Sequence, residues 1–173
     1  MENKYEDRLN IEDFLPKNNL DAGRKHLEEI VKSGDFYFEQ SDILKMREYA
    51  SWLVDQYKRK GDYSAVAEIA EVLRMEDVAI DAYLSLHKFD KALYLVDEWD
   101  LPKEKKIEVC SRAHNYHRIL IKEYQRRINE LDSSVDEALN SGAVRSEYER
   151  AIQKHLAIAS NYASMIKQLK GIY

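Results

Sequence analysis

Apolar side chains recur along this chain at alternating steps of three and four, the spacing that lines one face of an α-helix. The first such stripe, Leu27, Ile30 and Val31, follows Asp21 as a candidate cap and stops at Ser33-Gly34. A second carries Ile43, Met46, Ala50, Leu53 and Tyr57 behind Ser41 or Asp42 and ends at Gly61. Val66, Ile69, Ala70 and Leu73 form a third, broken at Arg74-Met75-Glu76, and Val78, Ala79, Ala82, Tyr83 and Leu86 a fourth. The fifth holds Ala92, Leu93, Leu95, Val96 and Trp99, with Asp90 as its expected cap and Asp100-Leu101-Pro102 as its stop. These spacings predict short helices, mostly of about ten residues.

Beyond Pro102 the stripe lengthens. Ile107, Cys110, His114, His117, Ile121, Tyr124, Ile128, Leu131, Val135 and Ala138 keep the three-and-four rhythm without a miss, which predicts one long helix with a coiled-coil-like seam. Asn140-Ser141-Gly142 reads as a break, and Ser146 with Glu149 three residues on reads as a capping box. Tyr148, Ile152, His155, Ala159, Tyr162, Ile166, Leu169 and Tyr173 then repeat the rhythm. Two such helices joined by a short polar loop make an antiparallel hairpin. Folding it about Gly142 sets His155 opposite Asn129, far from His114. At the base of the hairpin, Ala113, Tyr116, Ile119 and Leu120 on one side and Leu156, Ile158, Ala163 and Met165 on the other lie off the seam, so a further element is expected to cover them.

Within the short helices there is a repeat. Gly34-Asp35-Phe36, Gly61-Asp62-Tyr63 and His87-Lys88-Phe89 follow at offsets of 27 and 26, and the positions that match best after each are apolar. One helical pair repeated cannot bury its apolar face unless its neighbour stacks on it. Lys60-Gly61-Asp62-Tyr63 and Phe89-Asp90-Lys91-Ala92-Leu93 resemble the turn between the two helices of tetratricopeptide-like repeats, in which an aromatic follows a tight turn and a small residue opens the second helix. The resemblance covers residues 42–100, with a period shorter than the family's usual length of about 34 and Val66 where a small residue is usual. It implies protein or peptide binding. The expected fold is therefore all-α: a loosely ordered arm over 1–18, short helical repeats over 19–102 and a long helical hairpin over 103–173, together one domain.

Composition agrees with this picture and narrows the function. In 173 residues there are five glycines, two prolines and no threonine, which disfavours a β-rich fold. A single cysteine, Cys110, allows no intramolecular disulfide, and the N-terminus has neither a basic n-region nor an apolar h-region, so a reducing cytoplasm is the expected compartment and no membrane partner is expected. The net charge of −5 is uneven: residues 1–102 carry 14 basic and 23 acidic side chains, whereas 103–131 carry 8 and 4. The two parts are complementary in sign and are expected to dock on one another or on a second copy. The basic 103–131 segment also allows an alternative, contact with nucleic acid in a regulatory or accessory role, which the overall acidity opposes.

Candidate chemistry is sparse. Cys110, His114 and His117 share one helix face, and thiolate with imidazole suits zinc, but the sequence supplies no fourth ligand. None of the five histidines has Glu three residues before it, and no His-Glu-x-x-His, Gly-x-Gly-x-x-Gly, Gly-x-x-x-x-Gly-Lys or Cys-x-x-Cys occurs. No cofactor and no catalytic residues are expected. The expected activity is that of a non-enzymatic interaction module or scaffold, self-associating or binding a protein through the hairpin tip, where Leu131, Val135, Leu139 and Tyr148 are the candidate contacts.

Overall fold

A computed structural model describes residues 20–33, 40–133 and 141–172. Among them are seven helices and no strand: α1 (Leu20–Ser33), α2 (Gln40–Lys60), α3 (Tyr63–Val72), α4 (Glu76–Ser85), α5 (Phe89–Glu98), α6 (Lys103–Ser133) and α7 (Ser141–Lys170). The expected arm over 1–18 lies outside the described residues. The chain divides into two compact units, Met1–Leu86 and His87–Tyr173, so that the last short helix, α5, shares a unit with the hairpin. No described helix is long and apolar enough to cross a membrane.

The short helices obey a tighter rule than the pair-wise offsets of 26 and 27. Their turns place one residue each in the left-handed region, Gly61 (φ 73°), Arg74 (50°), His87 (56°) and Asp100 (52°), always 13 residues apart. Each unit of the repeat is thus a single ten-residue helix and a three-residue turn. After three of these turns an amide reaches back five residues, from Asp62 to Tyr57, Met75 to Ala70 and Leu101 to Val96, which satisfies a carbonyl that the helix end would otherwise leave bare. The side chains follow the same period. Val66, Ala79 and Ala92 are fully buried at one position of the unit, and Ile69, Ala82 and Leu95 at another.

Only the first turn uses glycine. A Cβ at Gly61 would meet nothing within 4 Å, so Gly61→Ala isolates the backbone cost of the left-handed conformation. It is expected to destabilise the fold by about 1 kcal/mol, measured by urea unfolding. Immediately after Gly61 the start of α3 is conventional, with the Asp62 carboxylate accepting from the Ala65 amide at 3.1 Å.

In the first unit α3 packs between α2 and α4, and α1 lies on α2 and α3. Leu53, Val66, Ala70 and Ala79 are fully buried there. α1 is fastened by polar contacts as well as by buried Leu27: the Tyr57 hydroxyl donates to Asp21 at 2.8 Å, and Arg24 pairs with Glu68 at 3.0 Å. Burial and the Asp21 carboxylate push the Tyr57 phenol up to about 12, so it stays a donor throughout the neutral range.

The second unit is the hairpin with α5 laid against it. The antiparallel pairing of α6 and α7 is present, but its register departs from the expected one. His117 faces His155 and Tyr124 faces Tyr148, two pairs centred on residue 136 and not on Gly142. The cause is the start of α7. Ser141 and Gly142 of the expected break already form the first turn of α7, where weak helix formers are tolerated. Ser146 is accordingly inside the helix and caps nothing. Asp90 also fails to cap α5: the flanking residue is Lys88, and Asp90, one residue into the first turn, accepts from the Tyr162 hydroxyl at 3.1 Å. Since Gly142 has no positive φ and open space around its Cβ position, Gly142→Ala is expected to stabilise the hairpin by up to about 1 kcal/mol. A loss of stability would restore the turn to Gly142.

Candidate functional site

Burial along the hairpin is graded. Val109, Cys110, Ala113, Ala159 and Tyr162 are buried near the base, His117, Ile121 and Ile152 remain buried midway, and Tyr124, Ile128, Leu131 and Tyr148 towards the tip are half-buried. Val135 and Leu139, two of the four expected partner contacts, lie outside the described residues. The Tyr148 ring lies tilted against that of Tyr124, with centroids 5.7 Å apart.

The base gradient comes from α5. At 100° per residue, Val109, Ala113 and Tyr116 project from one flank of α6, and His114, Arg118 and Gln125 from the other. α5 takes the first flank. Its buried Phe89 lies 5.4 Å from Tyr116, 6.1 Å from His117 and 6.5 Å from Tyr162, centroid to centroid, and its Asp97 holds Lys106 at 2.6 Å. Beside this junction opens a cleft of about 750 Å³ lined in part by His87, Phe89, Tyr116, His117, Tyr162 and Met165. His87 caps it, its ring stacked 4.1 Å from Tyr116.

The histidines of the seam meet each other. His117 Nδ1 lies 2.8 Å from His155 Nδ1, a distance that admits one proton: one ring donates and the other must present a bare nitrogen. His114 Nδ1 is 2.9 Å from the Ala159 carbonyl, which only accepts, so that nitrogen carries the hydrogen. Cys110 is fully buried and burial pushes its thiol up, away from the thiolate that a metal would need. The three expected zinc candidates thus have separate engagements, and no group of three or more potential ligands is gathered among the described residues.

Burial, followed by the charge of His155, lowers His117; burial and then nearby Lys154 lower His155. Asp90 opposes the shift at His117 and His114 adds to it. The unfolded chain, with histidines near 6.5, therefore binds more protons than the folded one as pH falls below that value. The hairpin's stability is full above it and is lost as pH drops towards the depressed folded values. Urea midpoints should fall between about pH 7 and pH 5.5, and His117→Gln with His155→Gln should flatten that dependence.

Among the described residues, no helix of the same unit lies on the second flank. It carries a groove of about 410 Å³ whose lining includes Arg118, Ile121, Lys122, Leu156 and Ala159. Leu156 is 45% exposed. Five of the six other basic side chains of 103–131 are engaged: Lys105 and Arg112 with Glu108, Lys106 with Asp97, Arg126 with Glu123 and Glu130, and Arg127 with Glu123. Hydrogen bonds from Arg126 and Arg127 hold the Glu123 carboxyl down at about 2. Arg118 and Lys122 form no ion pair among the described residues.

In the sequence Leu156 stands off the seam, and its place beside Arg118 and Lys122 emerges only with the hairpin's register. The signal was present: neither cation has an acidic residue three or four positions away, the only offsets that face it on a helix. The His117–His155 contact was missed because the hairpin was folded about the wrong residue. In comparisons with family models, curated proteins and solved structures, nothing matches this chain.

Proposed function

We propose that the chain is a non-enzymatic helical interaction module that binds another protein through its hairpin. One observation carries this reading: α5 covers one flank of the hairpin, whereas the other keeps a groove with Leu156 at its surface. A large apolar side chain set in a concave strip with basic neighbours is the usual form of a docking surface. The turns that resemble those of tetratricopeptide-like repeats favour the same class of activity. Half-buried Leu131 and Tyr148 leave the tip, with Val135 and Leu139, as a contact for self-association within this reading.

Contact with nucleic acid is the less favoured alternative. Five of the eight basic side chains of 103–131 already face carboxylates, which cancels the field that phosphates would require. The test is a photo-crosslinking residue placed at Leu156 or, as a control, at exposed Ser164 of the same helix. Discrete protein adducts from position 156 alone are expected in cells. Equal labelling from both positions, or none from 156, contradicts the proposal.

A further inference from the structure

The groove on the uncovered flank carries enough chemistry to specify its occupant, given the reading of the chain as an interaction module. Its apolar floor is Ile121 and Ala159, both buried, with exposed Leu156 beside them. The α6 residues that line it run from His114 to Gln125, about 16 Å or three helical turns. Arg118 and Lys122, one turn apart and both exposed, border that floor. Among the described residues of the lining there is no acidic side chain. Like charges at this spacing repel, and an incoming carboxylate relieves that repulsion.

The covered flank supplies the pattern for what fits. There a short amphipathic helix, α5, buries Phe89, Leu95 and Val96 while its acidic residues meet the hairpin, Asp97 at Lys106 and Asp90 at the Tyr162 hydroxyl. The backbone bonds of α6 and α7 are spent within each helix, so no strand can add to this surface and a helix lying in the groove is the available mode. A second copy offering the same flank would bring two Arg118–Lys122 pairs face to face, which like-charge repulsion disfavours. We infer that the groove binds an acidic amphipathic helix of a partner protein, its apolar stripe on Ile121, Leu156 and Ala159 and its carboxylates at Arg118 and Lys122.

The probe is a labelled peptide of about five turns with leucines on one helical face and glutamates elsewhere, titrated with the full chain and followed by fluorescence anisotropy. A counterpart with lysine for glutamate is the control. Saturable binding of the acidic peptide alone is expected, weakened several-fold by raising salt. The Arg118→Glu/Lys122→Glu pair and, separately, Leu156→Glu should each weaken it at least about tenfold, while Ile119→Glu, exposed and outside the groove, should not. Far-UV circular dichroism checks that these surface variants fold. Equal binding of the lysine peptide, unchanged affinity in the variants, or a wild-type dimer that Leu156→Glu dissociates would each overturn the inference. If the acidic peptide fails while position 156 still crosslinks to a protein, only the partner's chemistry is wrong. If both fail, the interaction-module reading falls with it.

Discussion

Phe89→Ala is expected to lower the stability of the second unit by about 3 to 5 kcal/mol, the usual cost of emptying a buried phenylalanine site. Phe89 is 6% exposed and is the first residue of α5, where its ring meets Tyr116, His117 and Tyr162 from both helices of the hairpin. Without it, α5 keeps Ala92, Leu95 and Val96 as buried residues but loses the aromatic contact that joins its first turn to α6 and α7 at once. The two tryptophans fall one in each unit, Trp52 and Trp99, so Trp99 in a Trp52→Phe background reports the change by urea unfolding. A loss below about 1 kcal/mol would mean that α5 is not seated on the hairpin.

Leu53→Ala is expected to cost the first unit about 2 to 5 kcal/mol. Leu53 is fully buried on α2, 13 positions before Val66 and in step with Val66 and Ala79 of the following helices. α3 packs on α2, and its Val66, Ile69 and Ala70 are buried on a helix held by a cap at one end and a left-handed turn at the other. They cannot collapse far into the space, which favours the upper part of that range. Trp52, stacked 5.9 Å from Tyr49, reads the transition in a Trp99→Phe background. A loss under about 1 kcal/mol would place Leu53 outside the core.

These two residues mark what the sequence could and could not disclose. Leu53 and the stripes of the short helices were legible because three-and-four spacing has one physical reading. The 13-residue unit was legible only as its double, since the four left-handed turn positions are a glycine, an arginine, a histidine and an aspartate and share no chemistry. The hairpin was legible as two helices but not in register. A seam with steps of three and four matches itself after many different shifts, so the turn alone fixes the pairing, and Ser141-Gly142 resembles part of a turn while standing at a helix start. Val144, four residues before Tyr148, already continued the second stripe backwards and was the available correction.

The candidate site divides in the same way. Arg118 and Lys122 lack acidic neighbours at facing offsets, and Leu156 lies off its seam, all of which can be read from a helical wheel. Which flank remains open depends on where α5 lands, and that follows from the fit of Phe89 among Tyr116, His117 and Tyr162. No local pattern encodes that fit.

The most direct test of the central claim is chemical-shift mapping of the full, ¹⁵N-labelled chain during titration with the acidic amphipathic peptide. The perturbed amides should cluster at His114, Arg118, Lys122, Leu156 and Ser160, on the open flank of the hairpin. Perturbations gathered at Lys88, Tyr116 and Met165, in the cleft beside α5, or no perturbation at saturating peptide, would contradict it.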